Sequence, residues 1–98
     1  MISYQKKILP NGLTVVVNRA RASKLAAVNI LYKVGARNEN PARTGFAHLF
    51  EHLMFRGTRA VENFDLPVQM ASGDNNDFTY NDYTDFYITL PKDNLETA

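Results

Sequence analysis

Apolar residues recur along this chain with two different periods, and the switches between them divide it into elements. Tyr4 to Leu9 and Leu13 to Asn18 are short β-prone runs flanking Pro10-Asn11-Gly12, where Asn-Gly suits the positive φ values of a tight hairpin turn. Leu25 to Val34 alternates, with Ala26, Val28, Ile30, Tyr32 and Val34 on one face, and predicts a third strand that Gly35 ends. Ala36 to Arg43 is polar and reads as a loop, in which Pro41 keeps Asn40 out of helical conformation. A helical period follows, because Phe46, Leu49, Phe50 and Leu53 fall within about 100° of arc on a helical wheel. Thr44 is the expected N-cap of that helix and Gly57 the residue that closes it. A second, short helix is expected over about Asp65 to Ala71, with Pro67 confining its start to near Asp65. Asn76 to Thr79 and Tyr83 to Leu90 predict a further strand pair joined by Tyr80-Asn81-Asp82. The acidic and amide residues between Asp74 and Asp85 are expected mostly to serve turns. Asp93 to Ala98 resembles a cap and the first turn of a helix with nothing yet to bury, so the chain is expected to be a fragment.

Composition narrows the class without changing this layout. Ninety-eight residues, 45% hydrophobic and 21% charged, suit one small globular unit. A net charge of +1 with scattered basic residues gives no electrostatic case for nucleic acid or an acidic membrane surface. No apolar run approaches the ~20 residues that span a bilayer, and Met1 to Lys7 lacks the apolar stretch of a signal peptide; the compartment stays open. Zero cysteines removes disulfides, thiolate metal sites and cysteine nucleophiles together. Any metal ligands must be nitrogen and oxygen.

Both histidines of the chain lie in His48-Leu49-Phe50-Glu51-His52. With His48 at zero on the helical wheel, His52 falls near 40° and Glu51 near 300°, at about 100° per residue, so all three project from one side. Two neutral imidazoles placed so can hold one Zn²⁺, and a carboxylate beside the metal can take a proton from water. The order H-x-x-E-H reverses that of the H-E-x-x-H zincins. Histidines on amphipathic helices are also found as plain, partly buried polar residues. Here the apolar stripe at Phe46, Leu49, Phe50 and Leu53 offers the core a separate face, so packing does not call for His48 or His52.

Several blocks, in order, carry a resemblance. Pro10-Asn11-Gly12-Leu13, Val34-Gly35-Ala36-Arg37, Thr44-Gly45-Phe46-Ala47 running into the His48 to His52 motif, Phe55-Arg56-Gly57-Thr58, and Asn76-Asp77-Phe78-Thr79 through Thr84-Asp85-Phe86-Tyr87 resemble the N-terminal part of the inverzincin metallopeptidases. That is the family of pitrilysin, insulin-degrading enzyme and the mitochondrial processing peptidases. The resemblance implies an α+β fold, an antiparallel sheet with helices on one face, and a second similar domain or partner copy that closes over a peptide substrate. It also implies His48 and His52 as zinc ligands, Glu51 as the general base, and a third ligand, a glutamate, beyond Ala98. Asn76, Asp77 and Phe78 match the edge strand that receives extended substrate through its main chain. Two positions depart from the pattern: Asp77 stands where a small alanine is common, and Ser72-Gly73 replaces the usual Gly-Gly. The chain by itself is expected to be inactive for want of the third ligand. Two other classes stay in view, a non-catalytic structural or peptide-binding homologue and a zinc-dependent carbon–sulfur lyase with a cysteine ligand; the flanking blocks match the peptidases better.

Overall fold

A computed structural model describes residues 1–98. The order along the chain is β1 (Gln5–Ile8), β2 (Thr14–Val17), β3 (Leu25–Tyr32), a 3₁₀ turn at Ala36–Asn38, α1 (Phe46–Arg56), α2 (Asp65–Met70), β4 (Asp74–Thr79), β5 (Thr84–Pro91) and a 3₁₀ segment at Lys92–Thr97. No helix is long and apolar enough to cross a membrane. β1 and β2 form an antiparallel hairpin of their own, pairing Gln5 with Val17 and Ile8 with Thr14. The turn works as its residues dictate, with Gly12 at φ 86° and the Asn11 side chain accepting the Leu13 N–H at 3.0 Å.

The second sheet has the order β3-β5-β4 and is antiparallel throughout. Its register sets Val28 against Ile88 and Asp77 against Phe86. The even-numbered residues of β3 and β5 therefore share a face with the odd-numbered residues of β4. That face meets the helices. Phe55 of α1 packs edge-on against Phe64 at 5.7 Å and lies 6.2 Å from Phe86, which in turn meets Tyr32 at 6.0 Å. The tightest packing lies under α2, where Val68, Ala71 and Leu90 are buried. On the opposite face Phe78 contacts Tyr80, Tyr83 and Tyr87.

Four expectations need correction. Helix α1 starts at Phe46, not after a Thr44 cap: Gly45 takes the N-cap position at φ 91°, and the side-chain acceptor comes from Glu39. Phe46, Leu49, Phe50 and Leu53 do not pack on the sheet; each is about half exposed, at 48–62%. The turn of the helix that approaches β4 is instead the one carrying the buried Glu51, flanked by Ala47 and Phe55 one helical repeat either way, so the apolar stripe points outward. Ala36 to Arg43 is more ordered than a plain loop, with its 3₁₀ turn and a bridge between Asn40 and Arg43. Asp74 and Asn75 begin strand β4, ahead of the expected start at Asn76, and do not form turns; Asn75 donates to Asp65 at 2.9 Å, and Asp85 of β5 accepts from Asn29 at 2.8 Å. Ser72, in place of glycine, sits at φ 58°, in the left-handed region where a side chain is strained.

Candidate metal centre

His48, Glu51 and His52 come together on α1 as a group whose ligand atoms all lie within 4.8 Å of one another. The Nε2 atoms of His48 and His52 are 2.9 Å apart, and Glu51 Oε1 is 3.9 Å from His48 Nε2. Nitrogens at that separation can both stand about 2.0–2.1 Å from a single ion, the usual distance for imidazole on zinc. The donors are nitrogen and oxygen only, so they fit a borderline or hard divalent cation. Both imidazoles are exposed and open to an entering ion or substrate, while Glu51 is buried at 7%. Three residues thus divide into two accessible imidazoles and one enclosed carboxylate.

The enclosure comes from β4. Alternation aims Thr79 at α1, and its hydroxyl donates to Glu51 Oε2. Oε1 is left on the side of the histidines. Asp77, two residues earlier, shares that face. Burial pushes its carboxyl above the ordinary range, the nearby Glu51 charge adds to this, and His52 and His48 oppose it. The departure at Asp77 thus brings a second carboxylate into the field of the histidine pair. Asn76 and Phe78 point away from α1, toward the aromatic face. β4 is an edge strand, paired only with β5, and on its outer edge the Asp77 N–H donates to Asn76 Oδ1 at 2.9 Å.

Residues 35–39 fix helix and strand relative to each other. Gly35 lies so close to the β4–β5 turn that a Cβ there would stand 2.1 Å from the Tyr80 carbonyl oxygen. Ala36 N–H donates to Tyr80 O at 3.2 Å and Arg37 N–H to Asn81 O at 2.8 Å. Thr84, buried opposite Thr79, donates its hydroxyl to Val34 O at 2.9 Å. At the other end of the segment Glu39 accepts the N–H groups of Gly45 at 2.6 Å and Ala47 at 2.7 Å. Those two bonds, the Ala47 one foremost, hold the Glu39 carboxyl below its ordinary range. Sequence reasoning missed Glu39 because a cap reached across a loop has no fixed spacing from its helix. Thr79 was within reach of the period-two rule, once β4 was known to face α1.

The family model for insulinase, peptidase family M16, matches residues 14–98. The chain is 36% identical over 98 residues to the zinc protease PqqE of Helicobacter pylori, covering 97% of this chain and 22% of that protein. It is 34% identical over 84 residues to the mitochondrial-processing peptidase subunit beta of Blastocladiella emersonii, covering 84% of this chain and 18% of that protein. It spans about a fifth of the length of these relatives. Among solved structures, a protease from Helicobacter pylori superposes with a TM-score of 0.90 at 35% identity, over 98% of this chain and 24% of that one. Pitrilysin superposes at 0.85 with 25% identity, over 96% of this chain and 10% of its own. A motif helix, an edge strand and a sheet shared with these proteins over nearly every residue place the chain in the insulinase family of peptidases, peptidase family M16.

Proposed function

We propose that the protein containing this chain is a zinc-dependent endopeptidase in which His48 and His52 hold the metal and Glu51 is the general base. The observation that carries this is the grouping of the two imidazoles with one enclosed carboxylate on a single helical turn. Zinc, when bound, would supply the Lewis acidity that makes water a nucleophile near neutral pH. Glu51 would accept the proton at Oε1, the oxygen left facing the histidines while Oε2 is held by Thr79. An extended peptide would lie against β4 as an added strand beside Asn76, Asp77 and Phe78, bonding the outward main chain of Asp77 in place of the Asn76 side chain that holds its N–H. Asp77, projecting toward Glu51, would make this end of the groove favour basic over acidic side chains, by a Coulomb contribution of about 1 kcal/mol where solvent screens it. A third metal ligand, and a second domain or partner copy to close over the peptide, would come from outside residues 1–98.

The test separates the roles in the full-length protein. Glu51→Gln should keep stoichiometric zinc and lose turnover by at least about 100-fold, because an amide fills the space without accepting a proton. His48→Ala and His52→Ala should lose the zinc itself, read by metal analysis after dialysis. Peptide hydrolysis by Glu51→Gln at the wild-type rate would remove Glu51 from the chemistry. Zinc retained in full by both histidine variants would remove the metal site.

A further inference from the structure

Resting on the assignment of Glu51 as general base, we infer that Thr79 is a positioning residue for that base. Glu51 is a carboxylate at 7% exposure, and its two oxygens have different surroundings. Oε1 faces His48 at 3.9 Å. Oε2 receives a hydrogen bond from the Thr79 hydroxyl, which is the one donor the structure gives this carboxylate. A buried charged oxygen with no donor is costly, so the hydroxyl fixes the carboxylate plane as well as its place. With one oxygen tied to β4, the other is held toward the histidines. A threonine has three features that suit it here. Its β-branch stiffens χ1, its hydroxyl carries no charge to compete with Glu51 for a cation, and its strand neighbour across the ladder, Thr84, is itself anchored to Val34 O.

The placement matters because Asp77 lies on the same face, one alternation away, and its negative charge repels Glu51. Without the Thr79 donor, the Glu51 side chain would be free to turn from Asp77 and carry Oε1 away from the histidines. The metal ligands would be untouched by that rotation. A positioning role therefore predicts a loss in turnover with the metal site intact.

The experiment uses the full-length protein with Thr79→Val, Thr79→Ala and Thr79→Ser, alongside Glu51→Gln. Loss of a residue that orients a reacting group from behind costs about 10- to 100-fold, and the valine and alanine variants should show a kcat drop of that order with KM near the wild-type value. Zinc content, and zinc affinity measured by competition with a fluorescent chelator, should stay at the wild-type level in all three. Thr79→Ser, which restores the hydroxyl, should recover most of the turnover. Wild-type kcat in Thr79→Val or Thr79→Ala overturns the inference, as do a Thr79→Ser variant no better than alanine and a loss explained by released zinc. Glu51→Gln distinguishes the two levels: if it stays active the base assignment itself is wrong, whereas an inactive Glu51→Gln with an unaffected Thr79→Val rejects Thr79 alone.

Discussion

Glu39 and Glu51 carry the same side chain and serve different ends because their partners differ. Glu51 accepts one hydroxyl bond and keeps an oxygen free beside two imidazoles. Glu39 spends both oxygens on the first amides of α1, groups that a helix leaves without intrahelical partners. The ionised carboxylate is the better acceptor, and it also meets the positive end of the helix dipole. The folded-state pKa of Glu39 lies below the ordinary value of 4.5. Its stabilisation is therefore complete above that value and disappears as pH falls through the lower, folded-state pKa. Glu39→Gln should lower the thermal unfolding midpoint at neutral pH, and the gap to wild type should close in acid. Equal midpoints at neutral pH would mean that the cap contributes nothing. Glu39 was not legible in the sequence as a cap, since its acceptor role depends on a loop conformation that brings it back over six residues to Gly45. His48, Glu51 and His52 were legible, because a helical turn fixes their relation whatever surrounds it.

Between elements, the segment from Gly35 to Glu39 acts as a bracket: one end is bonded to the β4–β5 turn and the other caps α1. It thereby ties the helix that carries Glu51 to the turn that follows Thr79. Gly35 has an extended backbone that any residue could adopt, at φ −154°, so the requirement for glycine is one of space. A methyl group would collide with the Tyr80 carbonyl oxygen and with Asn81, both main-chain atoms that cannot swing aside. Gly35→Ala should cost about 1–3 kcal/mol, the usual range for forced overpacking. Urea unfolding would show it as a lower midpoint at unchanged slope. A midpoint equal to wild type would show that the turn relaxes freely away from the bracket. The ion pair of Arg37 with Asp82 at 2.8 Å sits on the same bracket but is exposed at both ends, so it adds little. Strand and helix positions could be read from periodicity to within a few residues, and Pro67 and Gly57 punctuate where their chemistry says they should. The bracket could not be read in this way. Its bonds to the β4–β5 turn join main-chain groups distant in the chain, Ala36 to Tyr80 and Arg37 to Asn81, and those carry no sequence signal.

The whole chain is open for its size. Its radius of gyration is 15.5 Å, against about 13 Å for a compact unit of 100 residues. The β1–β2 hairpin forms a sheet apart from the main one, and only 7 of the 98 residues are buried. The outward stripe of α1, with Phe46, Leu49, Phe50 and Leu53, and the exposed Ile30, Leu31 and Val34 leave more apolar surface uncovered than a monomer of this size usually tolerates. Produced as residues 1–98 alone, the chain should self-associate and bind zinc loosely, because two imidazoles are a weak trap without a third protein ligand. Light scattering would show a mass rising with concentration, and zinc would be lost on dialysis against a chelator. A monomer with a sharp, concentration-independent thermal transition would contradict the first expectation, and stoichiometric zinc after dialysis the second.

The sequence alone determined the parts whose physics is local. Two histidines and a carboxylate within one helical turn share a side of any helix they form, Asn11-Gly12 favours a hairpin, and period-two alternation in β3 and β5 sets which side chains share a face. The family followed from the order of those local blocks. Tertiary structure decided which side of α1 meets the sheet. A helical wheel ranks faces by hydrophobicity, and by that ranking Phe46, Leu49, Phe50 and Leu53 should have been inside. In the fold Glu51 is enclosed, because Thr79 offers it a hydrogen bond, Glu39 and Gly35 set the helix against the strand, and the apolar stripe is left facing outward. Burial of a carboxylate depends on a donor from a distant strand, and only the packed structure shows where that donor stands.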